Sequence, residues 1–379
     1  MKVSPTGTRL AAALASLCAL TAFGAAPALA DDDGGRDAGR VYTLTNQATG
    51  NAVAVFDRAP ATGALTPAGT VPTGGLGTGA GLGNQGAIAQ TDDDRLVLAV
   101  NAGSDTVSVL RERQQGLGVT DIVPSGGDRP ISVTVEGRLV YVLNAGDGST
   151  RPASISGFRL APNGHIAPLA GSTRSLSGPN VGPAQIGFDP SGRTLTVTEK
   201  GTNLITTFAV GRDGRPGGPL PQASSGQTPF GFAFDRRGHL IVSEAFGGTA
   251  SALSSYDVAR SGTLSLVSGS VPATGQRAAC WVVVTRDGRF TYTTNAATRT
   301  VSGYRIGAGG SLSLLARPGL PAATQSAPTD AALSDGDRFL YVLNGEQISG
   351  FAVAGDGDLT PLPGGASALP AGTNGLAAN

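Results

Sequence analysis

The chain has 379 residues, 58 of them Gly and 24 Pro, and only 14% are charged. Gly stands at about twice its usual share and charge at about half, with 40% hydrophobic residues left to build a core. The 27 basic and 27 acidic side chains cancel, which speaks against a nucleic-acid-binding surface and against a disordered polyelectrolyte.

Residues 1–30 read as a secretory signal. Lys2 and Arg9 precede an uncharged apolar run from Leu10 to Ala26, and Ala28-Leu29-Ala30 gives a small-x-small cleavage site before Asp31-Asp32-Asp33. Cleavage near Ala30 predicts a secreted, extracellular protein. The run is short for a span and its following flank is acidic, so no membrane span is expected. Cleavage also removes Cys18. Cys280 is then the remaining cysteine, held between Ala279 and Trp281, so no intramolecular disulfide forms and a buried, inert thiol is expected. Residues 31–39 read as a disordered acidic leader.

From Arg40 a short pattern recurs: a basic residue or Gly, alternating apolar positions, then Asn or Glu. Its copies are 40–46, 95–101, 138–144, 193–199, 238–244, 289–295 and 338–344, ending in Asn46, Asn101, Asn144, Glu199, Glu244, Asn295 and Asn344. The mean period is about 50 residues, in the range of four-stranded propeller blades. A second strand follows each copy, as at Ala52-Val-Ala-Val-Phe56 and Thr300-Val-Ser-Gly-Tyr304. A third element starts at Gly-x-Leu, as at Gly63, Gly262, Gly310 and Gly357. Runs such as Pro183-Ala-Gln-Ile-Gly-Phe188 precede the copies, and Gly, Asp and Pro turns separate all four pieces. The expected fold is all-β: a seven-bladed β-propeller with four-stranded blades, one domain over residues 40–379. The first copy lacks a preceding strand, whereas Asn374-Gly-Leu-Ala-Ala-Asn379 resembles the segment 84–90. The C-terminal strand should therefore join the N-terminal blade, closing the ring without an open edge. The Gly-rich stretch from Thr73 to Gly86 reads as a long loop between blades. No helix follows it, so it makes no phosphate cradle.

The run Phe188-Asp-Pro-Ser-Gly-Arg-Thr-Leu-Thr-Val-Thr-Glu-Lys-Gly201 resembles the repeat of the seven-bladed lactonase family, which includes bacterial 6-phosphogluconolactonases and fungal carboxymuconate-lactonising enzymes. Tyr141-Val-Leu-Asn144 and Tyr341-Val-Leu-Asn344 also resemble surface-layer propeller repeats. The resemblance implies a catalytic set that this chain has largely replaced. Gly182 and Ala184 stand where the family carries a His pair, and Phe230 and Ala296 where it carries Arg. Glu199 and Glu244 are the acidic positions that remain.

Two functional classes follow. The first is a secreted, non-catalytic binding propeller taking a small molecule or a protein on its top face and central channel. The second is an extracellular lactone hydrolase with Glu199 and Glu244 as the catalytic carboxylates. In either case the ends of the repeat strands and the starts of the inner strands share the top face, which nominates Gln185, Glu199, Phe230, Glu244, Arg277 and Trp281 as the ligand-binding set. His165 and His239 fall in turns on the opposite face and do not converge, so no metal site is expected. No cofactor is expected, and the chain reads as a monomer.

Overall fold

The computed structural model describes residues 39–114, 116–366 and 368–379. The signal and all of the leader except Gly39 lie outside them. The described residues form seven antiparallel sheets, with strands called a to d from the innermost outward. Blade 1 contains Gly39–Leu44, Ala52–Arg58 and Leu65–Pro72 as b, c and d, and Asn374–Ala378 as its strand a. Blades 2 to 7 begin with the inner strands Ile88–Gln90, Pro130–Glu136, Pro183–Phe188, Pro229–Phe234, Ala279–Val284 and Pro328–Leu333. Each then runs outward through b and c to d. Every inner strand touches the next, and Asn374–Ala378 touches both Pro328–Leu333 and Ile88–Gln90, so the ring is closed. Among the described residues no helix is long and apolar enough to cross a membrane.

The seven copies of the repeat are the b strands. Strands b of blades 2 to 7 are buried along their whole length, because each is covered by a neighbouring blade on both faces, and their apolar runs reflect that. Two motifs of the repeat meet between blades. The Tyr141 hydroxyl donates to the Gly214 carbonyl at 2.7 Å, Tyr292 to Gly357 at 3.0 Å, and Tyr341 to Gly63 at 2.7 Å. A strand b tyrosine therefore satisfies its hydroxyl on the glycine of the next blade's c–d turn, and the last of these bonds joins blade 7 to blade 1.

The closing strand pairs with Gly39–Leu44, from Val41 opposite Ala378 to Leu44 opposite Asn374. Leu376 is buried on it. The Asn379 side chain accepts from Arg40 N at 2.6 Å and its backbone carbonyl from Arg58 Nε at 3.1 Å.

Candidate functional site

The top of the channel is shaped by how the inner strands begin. Pro130, Pro183, Pro229 and Pro328 open four of them, a place where no ladder N–H is needed. The register then slips immediately after each proline. Such bulges re-aim the residues that follow, and here these are Ser132, Gln185, Gly231 and Asp330.

The segment expected as a plain inter-blade loop does more than connect. Residues 82–86 occupy the channel mouth and hydrogen-bond to four blades. Asn84 donates through Nδ2 to the Ile131 carbonyl, and its own carbonyl accepts the Trp281 indole N–H at 2.7 Å. Gln85 N donates to the Ala184 carbonyl at 3.0 Å. Its side chain spans the channel to blade 6, Oε1 accepting from Val282 N at 3.1 Å and Nε2 donating to Val282 O at 2.8 Å. The Gly86 carbonyl accepts from Val133 N, and its N–H faces the Asp330 carboxylate. Asn84 and Gln85 are 1% and 7% exposed, so these residues are a plug. Gly231 is required beside it, since a Cβ there would overlap Gln85 Oε1.

An inner strand leaves its channel-side N–H and C=O groups without a ladder partner. An amide side chain mimics a peptide and satisfies both at once. Gln85 does so for Val282, and Gln185 does the same for Phe232, accepting from its N–H at 2.7 Å and donating to its carbonyl at 2.9 Å.

The two nominated carboxylates lie elsewhere. Glu199 and Glu244 are each 0% exposed. Glu199 accepts from Thr206 Oγ1 at 2.6 Å and Thr202 Oγ1 at 3.0 Å, and from the Ser177 hydroxyl. Glu244 accepts from Ser254 Oγ at 2.5 Å, Gly226 N at 2.7 Å and Ser270 Oγ at 2.7 Å. These contacts repeat around the ring. At the same place in strand b, Asn101 meets Ser108, Asn144 meets Ser156, Asn295 meets Ser302 and Asn344 meets Ser349. In each case the hydroxyl sits two residues beyond the strand c residue paired with the Asn or Glu. Glu199 and Glu244 are the acidic versions of a clasp between strands b and c.

Of the remaining nominated residues, the structure brings Phe230 and Trp281 together, edge to face with ring centroids 5.2 Å apart. Both are buried. Arg277 is exposed on the top face. His165 lies 3.2 Å from Asp121, and His239 lies 2.7 Å from Asp235 and 3.5 Å from Asp257.

Two further residues complete the mouth, and sequence reasoning did not single them out for function. Lys200 follows Glu199 at the end of strand b. Its ammonium stands 4.8 Å from the centre of the Phe230 ring and donates to the Gly83 carbonyl, latching the plug. Burial, with a contribution from Arg129, holds its pKa down to about 8, the neighbouring Cys280 opposing. Burial pushes the Cys280 thiol up to about 12, which keeps it a thiol at neutral pH. Asp330 is 1% exposed. It accepts from Ala331 N at 2.8 Å and Leu376 N at 3.1 Å as well as facing Gly86. Burial raises its carboxyl to about 8 against the pull of those N–H groups. As the acidic residue just past the bulge of an inner strand, Asp330 was visible in the sequence.

Comparison with known proteins agrees with this architecture. The family model described as "Lactonase, 7-bladed beta-propeller" matches residues 36–156 and 163–277. No curated protein matches the chain in sequence. Among solved structures, a putative 6-phosphogluconolactonase from Bacteroides fragilis is 16% identical with a TM-score of 0.68, covering 91% of this chain and 98% of its own. A second, from Bacteroides uniformis, is 18% identical with a TM-score of 0.71, covering 89% and 98%. The periplasmic gluconolactonase of Pseudomonas aeruginosa is 18% identical with a TM-score of 0.69, again covering 89% and 98%. At these identities the likeness is one of fold.

Proposed function

The chain belongs to the seven-bladed β-propeller lactonase family, and on that premise we propose that it is an exported, non-catalytic binding propeller whose contact surface is the top face around the plugged channel. The plug carries this reading. Hydrolysis of a lactone needs a positioned base for water and a donor or cation for the developing oxyanion, both open to substrate. Asn84 and Gln85 fill the mouth, while Glu199 and Glu244 are sealed inside their blades with hydroxyl and N–H partners. Apolar residues at 230 and 296 also remove the cations with which a phosphate or carboxylate would pair. The surface left for a small molecule or a protein is the rim, with Arg277 and the Lys200 ammonium beside Phe230 and Trp281. Folds outlast the chemistries they host.

A second reading, an extracellular lactone hydrolase working through Glu199 and Glu244, draws support from the names of the gluconolactonase structures. One assay separates the two. Purified protein lacking residues 1–30 is given 6-phosphogluconolactone and glucono-1,5-lactone, and ring opening is followed against buffer. The expected result is background opening. Protein-dependent turnover that Glu244→Gln abolishes would promote the hydrolase reading.

A further inference from the structure

Below the plug the channel becomes a cavity of about 490 Å³ lined by the second halves of the inner strands, with Gln85 and Gly86 as its floor. It faces the a–b turns, opposite the surface considered above. Its lining is distinctive in three respects. Two part-buried phenyl rings, Phe188 and Phe234, border it, and Phe234 packs edge to face on the buried Phe232. Two carboxylates, Glu136 and Asp189, belong to it as well. No Lys, Arg or His lines it.

The two carboxylates are not equivalent. Asp189 is occupied by its own turn, accepting from Ser191, Arg193 N and Thr194 N. The Glu136 carboxylate has no ion pair or hydrogen bond among the described residues, although it is partly buried. Burial raises its carboxyl above the usual range, and the charges of Asp92 and Asp189 raise it further. The cavity therefore offers a carboxylate without a cation beside aromatic walls.

We propose that this cavity is a binding site for a small organic ammonium ion, its apolar or aromatic body held against Phe188 and Phe234 and its cationic head on Glu136. The ammonium neutralises a site that is acidic throughout, and its charge also suits ring faces. Anions are excluded by the same charges. The plug is part of the design, because it turns an open channel into a pocket with a floor, and pockets that enclose most of a ligand bind it best.

The site stands or falls separately from the top-face reading. Calorimetric titration of the protein lacking residues 1–30, at low salt, uses three isosteric probes: tyramine, its neutral alcohol analogue tyrosol, and the anion 4-hydroxyphenylacetate. Tyramine is expected to bind, tyrosol about 10-fold more weakly or less, and the anion not at all. Glu136→Gln should lower tyramine affinity by about 10-fold with an unchanged melting temperature. Equal binding of all three probes, no binding of tyramine at millimolar concentration, or a Glu136→Gln protein that binds tyramine like the parent would overturn the assignment. Lactone turnover would sink the top-face reading and leave this site untouched.

Discussion

Asp330 ties the stability of the ring to pH. Its carboxyl sits at about 8 in the fold, raised by burial, against about 3.9 in an unfolded chain. Between those values the folded state holds a proton that the unfolded state has released. Stability contributed here is therefore complete below about pH 4 and is lost as pH rises through about 8, with a limiting slope of about 1.4 kcal/mol per pH unit. Asp330→Asn keeps the shape and removes the titration. The amide cannot accept all three N–H groups of Ala331, Leu376 and Gly86, so the variant carries a penalty on the order of 1–3 kcal/mol, but that penalty does not change with pH. The difference between parent and variant should therefore shrink by up to about 4 kcal/mol from roughly pH 5 to pH 8. Urea denaturation of both proteins at half-unit pH steps measures it, and titrations elsewhere cancel in the subtraction. Parallel stability curves across that range would refute the argument.

Removing residues 374–379 strips blade 1 of its inner strand, uncovers the edge of Gly39–Leu44 and exposes Leu376's partners; soluble yield should fall sharply, and a truncated protein melting like the parent would contradict the shared blade. Gln85→Ala leaves Val282 N–H and C=O unpaired in the channel and should cost about 2–4 kcal/mol, read by thermal melting, with faster hydrogen exchange at the Gly86 amide. Lys200→Met keeps the stem over Phe230 but loses the ammonium and its bond to Gly83, which should cost about 1 kcal/mol and speed exchange at the same amide, an effect absent in Arg277→Ala.

The blades were legible because period-2 strands and Gly, Asp and Pro turns recur with one register, and the C-terminal match to residues 84–90 disclosed how the ring closes. The clasp was legible as well. Asn101, Asn144, Asn295 and Asn344 occupy the position of Glu199 and Glu244, and a Ser or Thr follows in each strand c, two residues past the one paired with it. A residue type repeated around a ring speaks for a structural duty, while resemblance to enzymes drew the two acidic copies toward catalysis. The plug was not legible. Asn84 and Gln85 lie in a Gly-rich segment without periodicity, and their partner Trp281 and Val282 are 197 residues away. Nothing local encodes such a contact. Lys200 escaped for the same reason, since its meaning depends on Gly83, 117 residues earlier.

The inner strand of blade 1 is Asn374–Ala378, while its other three strands are made first. During synthesis the first blade is thus the last to be finished. Until residue 374 has emerged, strand Gly39–Leu44 has an unpaired edge, Asp330 lacks the Leu376 N–H, and the inner strand Pro328–Leu333 lacks the neighbour that closes the ring. The plug arrives early but has nothing to seal, because its partners in blades 3, 4, 6 and 7 come later. Ring closure in a chain of this design is set by its final few residues, a timing that suits a polypeptide threaded before its ring is complete.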